Sequence, residues 1–99
     1  MTADEQGYNG WKNYETWAVA LWIDNEQGSY DYARELTRTT QGQMNPLWSI
    51  AGDLANGLKD WIEQEMPNLG GTLWADLLNA AFDEVDWLEI AENYLEETP

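Results

Sequence analysis

The chain has 99 residues, of which 19 are Asp or Glu and 4 are Lys or Arg, a formal net charge of -15. That balance excludes a phosphate-holding groove of its own, because nucleic-acid binding requires clustered Lys and Arg. The absence of both Cys and His excludes disulfides, thiolate or imidazole metal sites and histidine acid–base catalysis.

With 43% hydrophobic residues, seven Trp and five Tyr, the sequence has the apolar content that disordered acidic tails lack. Residues 1–99 are expected to form a single domain, with 1–12 as an irregular lead. Met1 to Gln6 carries neither a basic segment nor an apolar stretch, so no secretory signal is expected. The longest uninterrupted apolar run, Trp17 to Ile23, is far below the roughly 20 residues needed to span a bilayer. A cytoplasmic protein with no membrane association is the expectation.

Asn13 is a candidate cap for a helix from Tyr14 to about Asn25, in which Tyr14, Trp17, Ala18, Leu21 and Trp22 follow helical spacing. Val19, Ala20 and Ile23 fall on the other side, so this helix is apolar almost all round and is expected to be the central one. Periodicity alone leaves a buried strand open over Trp17 to Ile23, but no second strand stands to pair with it. Gly28 is expected to end the first helix, and Ser29 to cap a second from Tyr30 to about Thr39 with Tyr30, Ala33 and Thr37 on one side.

Thr39 to Gln43 reads as a loop. Asn45 as cap and Pro46 at the first helical position then open a third helix, whose stripe Leu47, Ile50, Ala51, Leu54, Leu58, Trp61, Ile62 and Met66 runs to Pro67. After the turn at Asn68 to Gly71, Thr72 can cap a fourth helix presenting Leu73, Trp74, Leu77, Leu78 and Ala81. Asp86 and Glu89 have capping-box spacing, and Val85 and Ile90 occupy the positions of a hydrophobic staple, so a break is predicted near Phe82 to Asp86. The last helix then buries Trp87, Ile90, Ala91, Tyr94 and Leu95 and leaves Glu89, Glu92, Asn93 and Glu96 outside. The fold class read from this pattern is all-α, a compact domain of four to five helices with a central apolar N-terminal helix and an acidic C-terminal half.

From Asp60 onward there are eleven carboxylates and no base: Asp60, Glu63, Glu65, Asp76, Asp83, Glu84, Asp86, Glu89, Glu92, Glu96 and Glu97. Ordinary solvated helices interleave Lys with Glu for i,i+4 support, whereas here none follows Lys59. Helical residues three and four apart lie about 5–6 Å apart, close to the roughly 6–7 Å repeat of nucleic-acid phosphates. Glu89, Glu92 and Glu96 are therefore expected to present charge at phosphate-like intervals. If the last three helices pack side by side, the eleven acids merge into one partner-binding face. The plainer explanation is solubility, since negative side chains also favour helix starts through the macrodipole.

Trp17, Trp22, Trp61, Trp74 and Trp87 sit on apolar stripes and are expected in the core. Trp11 and Trp48 lie off those stripes and are candidate interface anchors.

Catalysis is not expected. Asp60-x-x-Glu63 with Glu89-x-x-Glu92 has the composition to hold Mg²⁺, but Lys12, Arg34, Arg38 and Lys59 are too few and too scattered to hold substrate phosphate. Asp24 to Glu35 fails as a calcium loop, because Ser29 occupies the position that requires Gly and Gly28 supplies no side-chain oxygen. Neither a metal nor a cofactor is expected.

The phrase Trp11-Lys-Asn-Tyr-Glu-Thr-Trp-Ala-Val-Ala-Leu-Trp-Ile-Asp-Asn-Glu-Gln-Gly28, with Val85-Asp-Trp-Leu-Glu-Ile-Ala-Glu-Asn-Tyr-Leu95, resembles a group of small acidic proteins encoded by bacteriophages and other mobile elements. The two phrases cover 29 of the 99 residues, and the group offers no catalytic residues to carry over. The resemblance implies a mobile-element context, in which small acidic proteins that imitate DNA block CRISPR effectors or restriction enzymes. By that analogy of charge and context the partner is a basic nucleic-acid-binding complex of a bacterial host cell, with no direct binding of nucleic acid. A homodimer would double the acidic surface. The alternative is an acidic helical adaptor that binds one protein through an apolar patch, its charge serving only solubility.

Overall fold

The computed structural model describes residues 8–42 and 47–97, the side chains of 47–49 excepted. Among these residues five helices follow in chain order: α1 (Tyr14–Asn25), α2 (Gln27–Gln41), α3 (Leu47–Gln64), α4 (Leu73–Asp83) and α5 (Trp87–Glu97). Among the described residues the only β pairing is a single bridge between Tyr8 and Trp11. The chain is all-α, and the run Trp17 to Ile23 is helical. No described helix is long and apolar enough to cross a membrane.

Three of the four caps within the described residues form where the sequence places them. Asn13 Oδ1 accepts from the Thr16 N–H at 2.9 Å, Thr72 Oγ1 from Ala75 at 3.3 Å, and Asp86 Oδ1 from Glu89 at 3.0 Å. The exception is α2, which begins at Gln27 instead of Tyr30. Its cap is Glu26, whose carboxylate accepts from the Ser29 N–H at 2.8 Å and the Ser29 hydroxyl at 2.6 Å. Gly28 thus lies inside the first turn of α2, and Glu26 alone separates two helices. Asn45 and Pro46, the expected start of α3, lie outside the described residues.

The innermost helix is α5, not α1. It lies chiefly along α3 and also meets α2 and α1. Trp87, Ile90, Ala91 and Tyr94 form one cluster with Leu54, Ala55 and Leu58 of α3, Ala33 of α2, and Ala20 and Ile23 of α1. Burial of each large side chain in that cluster contributes about 1.5–3 kcal/mol. The Tyr94 hydroxyl also donates to Asp24 of α1. Between α2 and α3, Gly57 permits close approach: a Cβ there would stand 3.3 Å from Leu36.

The first helix buries only Thr16, Ala20 and Ile23, leaves Trp22 75% exposed, and also exposes Tyr14 and Leu21. Its buried stripe, spaced by four and three, holds Ile23 as the one large apolar residue, whereas Tyr14, Leu21 and Trp22, which weigh most in a sequence count, point to solvent. On α4, Leu73 and Trp74 are each 65% exposed. Trp22 and Trp74 are therefore not core residues; Trp17 and Trp61 are half-buried, and Trp87 is buried. The last three helices do not form one side-by-side layer either. α4 is held mainly through Leu78 and Phe82, the latter ring 5.4 Å from Trp87.

Two groups make stability depend on pH at opposite ends. The Ser29 side-chain and backbone hydrogen bonds hold the Glu26 carboxyl below its usual range, so this cap stabilises the fold above the ordinary carboxylate value and is lost as pH falls through the lowered one. Burial, then the bond to Asp24, pushes the Tyr94 phenol up, so its contribution is complete below about pH 10 and is lost as pH rises beyond it. In thermal melts across pH, Glu26→Gln is expected to flatten the acid limb and Tyr94→Phe the alkaline limb. Unchanged limbs would refute these assignments.

Candidate anionic interface

Residues 8–11 form a tight turn. Asn9 has φ 49° and Gly10 φ 90°, the left-handed pair of a two-residue type I′ connection, and the Tyr8 and Trp11 backbones exchange hydrogen bonds across it. The Tyr8 ring packs on Tyr14 at 5.2 Å and Trp17 at 4.9 Å, which fixes the turn against α1. Residues 8–11 of the expected irregular lead thus form this turn, and Asn9-Gly10 is the local signal that marks it.

From this turn the chain is tied to the end of α4 and the start of α5 by bonds that span 70 residues or more. The Lys12 N–H donates to Glu89 Oε1 at 2.9 Å, and the Asn13 side chain donates to the Glu84 carbonyl at 2.7 Å. The Thr16 hydroxyl donates to Asn13 Oδ1 at 2.6 Å and accepts from the Asp86 N–H at 2.8 Å. Asp86 thus caps α5 while Thr16 satisfies its N–H, the donor that Glu89 would take in a reciprocal capping box. Glu89 is free to hold the lead instead. The Lys12 ammonium lies 3.9 Å from Asp86, with its side chain 66% exposed, and an ion pair so open to solvent adds little.

The result is an open groove of ≈ 390 Å³ between the turn and α5, lined by Asn9, Gly10, Trp11, Glu89, Glu92 and Glu96, together with Asn93. It gathers four residues singled out from sequence: the carboxylates Glu89, Glu92 and Glu96 on one helical face, and the aromatic Trp11, half-buried against the core. Such a face can receive Lys or Arg side chains while the indole offers a flat contact.

The other expected site residues lie elsewhere. Asp60 and Glu63 are exposed near the end of α3 and Glu65 just past it; Asp76 and Asp83 are exposed on α4, Glu84 at its end, and Glu97 at the end of α5. Because α4 stands apart from the α3–α5 pair, its carboxylates do not join a layer with theirs. Acids also stand exposed on the first three helices, at Asp24, Asp31, Glu35 and Asp53, and at the cap Glu26, so the anionic surface is not confined to the C-terminal half. No group of three or more acids among the described residues converges to hold a metal ion. The Trp48 side chain lies outside the described residues.

Residues 4–97 match a family of unknown function (DUF7249), and the chain belongs to that family. No curated protein and no solved structure matches it.

Proposed function

We propose that the protein is an inhibitor carried by a phage or other mobile element, which occupies the basic nucleic-acid groove of a host defence complex, a CRISPR effector or restriction enzyme, as an acidic mimic. It acts without chemistry inside the bacterial cell. The observation that carries this reading is the convergence of Glu89, Glu92 and Glu96 with Trp11 on one open groove, in a chain with no base beyond Lys59. Carboxylates at helical spacing engage the lysines and arginines that otherwise hold phosphates, and electrostatic steering makes association fast at low salt and weaker as salt rises.

The test is DNA cleavage by such complexes with the purified chain added. The parent protein is expected to inhibit one of them, with excess DNA relieving the block. Glu92→Lys with Glu96→Lys is expected to weaken inhibition on the order of 100-fold, since two attractive pairs become repulsive. Glu89 is left intact because it anchors the lead. Full inhibition by the reversed chain would remove the mimic.

A second reading, the acidic adaptor whose charge serves only solubility, is favoured by the exposure of Leu73, Trp74 and Leu77 on α4. In that case the reversed chain keeps its partner.

A further inference from the structure

The apolar surface of α4 continues into two clefts of ≈ 290 Å³ on either side of its inner ridge. The first is walled by Ala18 and Val19 of α1, Ile62 of α3 and Leu78, Ala81 and Phe82 of α4, and its only charged lining residue is Glu15. The second lies among Ile62, Met66, Pro67, Leu78 and Phe82, and there the only charged lining residue is Glu65. At 3.6 residues per turn Trp74 falls between Ala81 and Leu78, and Leu77 and Leu73 follow outward. The wall of the first cleft and the exposed residues are thus one apolar strip, while Asp76 and Asp83 mark the far edge of the helix.

Charge identifies what fits there. Neither α1 nor α4, the two walls of the first cleft, contains a Lys or Arg, and each cleft lining holds a single carboxylate. A second copy of this chain would bring together two bodies of formal charge -15, and an anionic lipid surface would be repelled in the same way. A groove between two helices, apolar at its floor and acidic at its margin, matches a helix with an apolar stripe flanked by Lys and Arg.

We propose that the α1/α4 cleft docks one basic amphipathic helix of another protein, its apolar stripe filling the cleft and covering Trp74 and Leu77, its cations meeting Glu15 at the rim. This names the partner of the adaptor reading and rests on the α4 surface of that reading, not on the α5 groove.

The probe is a fluorescent peptide of Leu and Lys in helical register, compared with the same pattern in Leu and Glu. At about 0.15 M salt, where exposed charges are screened beyond roughly 8 Å, the Leu/Lys peptide is expected to bind saturably with one site per chain. Ala81→Trp, which plugs the cleft from an exposed position, is expected to weaken it at least about tenfold, as loss of a central anchor does. Glu92→Lys with Glu96→Lys leaves it within a few-fold. Circular dichroism checks the fold of each variant, and in the parent protein the indole N–H resonance of Trp74, not that of Trp11, shifts on binding.

Equal binding of the Leu/Glu peptide would overturn the choice of a basic occupant and leave the adaptor surface standing. Failure of both peptides would remove the docking site together with that surface. Shifts confined to Trp11, with binding lost on reversing Glu92 and Glu96, would place the peptide in the α5 groove, overturning this proposal while supporting the other. Self-association by sedimentation that Ala81→Trp abolishes would make a second copy the occupant.

Discussion

Replacing Asn13 by alanine and Thr16 by valine together is expected to lower folding stability by about 2–4 kcal/mol, although neither residue contributes to the apolar core. Thr16 is fully buried, and its hydroxyl is shared between Asn13 and the Asp86 N–H. Valine fills the same space without that oxygen and leaves the Asp86 N–H unpaired, which costs about 1–3 kcal/mol. Asn13→Ala removes both the α1 cap and the bond to the Glu84 carbonyl, and loss of a cap alone costs about 0.5–2 kcal/mol. Because the two side chains bond each other, their effects will not add, and a double-mutant cycle reads the coupling. Urea denaturation measures the free energies, and the melting temperature is expected to fall by roughly 4–8 °C for each kcal/mol lost. Thr16→Ser keeps the hydroxyl and should restore most of the loss. A double variant within about 0.5 kcal/mol of the parent, the usual range for a neutral surface change, would show that the clasp has no net energetic role.

That clasp also explains what the sequence reveals and what it hides. Helix starts with a short polar side chain three residues before an N–H are local events, so Asn13, Thr72 and Asp86 can be read directly. The start of α2 escapes the same reasoning because its cap is a glutamate, a residue whose longer side chain is not among the preferred caps. Nothing local marks Thr16, since its partner lies 70 residues away. Yet the segments 11–28 and 85–95 meet at this point: Asn13 and Thr16 belong to the first, and Asp86 and Glu89 to the second. Those four residues thus form a device that joins the start of α1 to the start of α5.

The α5 groove was half legible. Helical spacing places Glu89, Glu92 and Glu96 on one face whatever the tertiary fold, whereas the opposite wall depends on the Asn9-Gly10 turn and on Glu89 holding the Lys12 N–H. A capping-box reading assigns Glu89 to Asp86 and so conceals this second use. The expected union of all eleven acids required α4 to lie beside α3 and α5, and the exposure of its residues shows why it does not: only Leu78, Phe82 and Ala75 are even half-buried.

Trp87→Ala is expected to cost about 3–5 kcal/mol, whereas Trp74→Ala and Trp22→Ala should each stay within about 0.5 kcal/mol of the parent. All three lie on apolar stripes in sequence, so the contrast tests the packing and not the periodicity. Trp87 is 8% exposed, belongs to the core cluster and meets the Phe82 ring, so truncation opens a cavity where α4 joins the bundle. A domain of this size has about 5–15 kcal/mol of total stability, and that single change removes a large part of it. Trp87→Phe keeps an aromatic ring and deletes an indole N–H that has no hydrogen-bond partner among the described residues, so it should be milder than alanine. Trp74 and Trp22 lie mostly in water, and alanine there removes surface that folding leaves largely exposed. Denaturant titrations followed by far-ultraviolet circular dichroism, which does not depend on the deleted fluorophores, give the three values. A loss above about 1 kcal/mol for Trp74→Ala would mean that its ring already packs within this chain, and the α4 strip would then have no free surface with which to grip a partner.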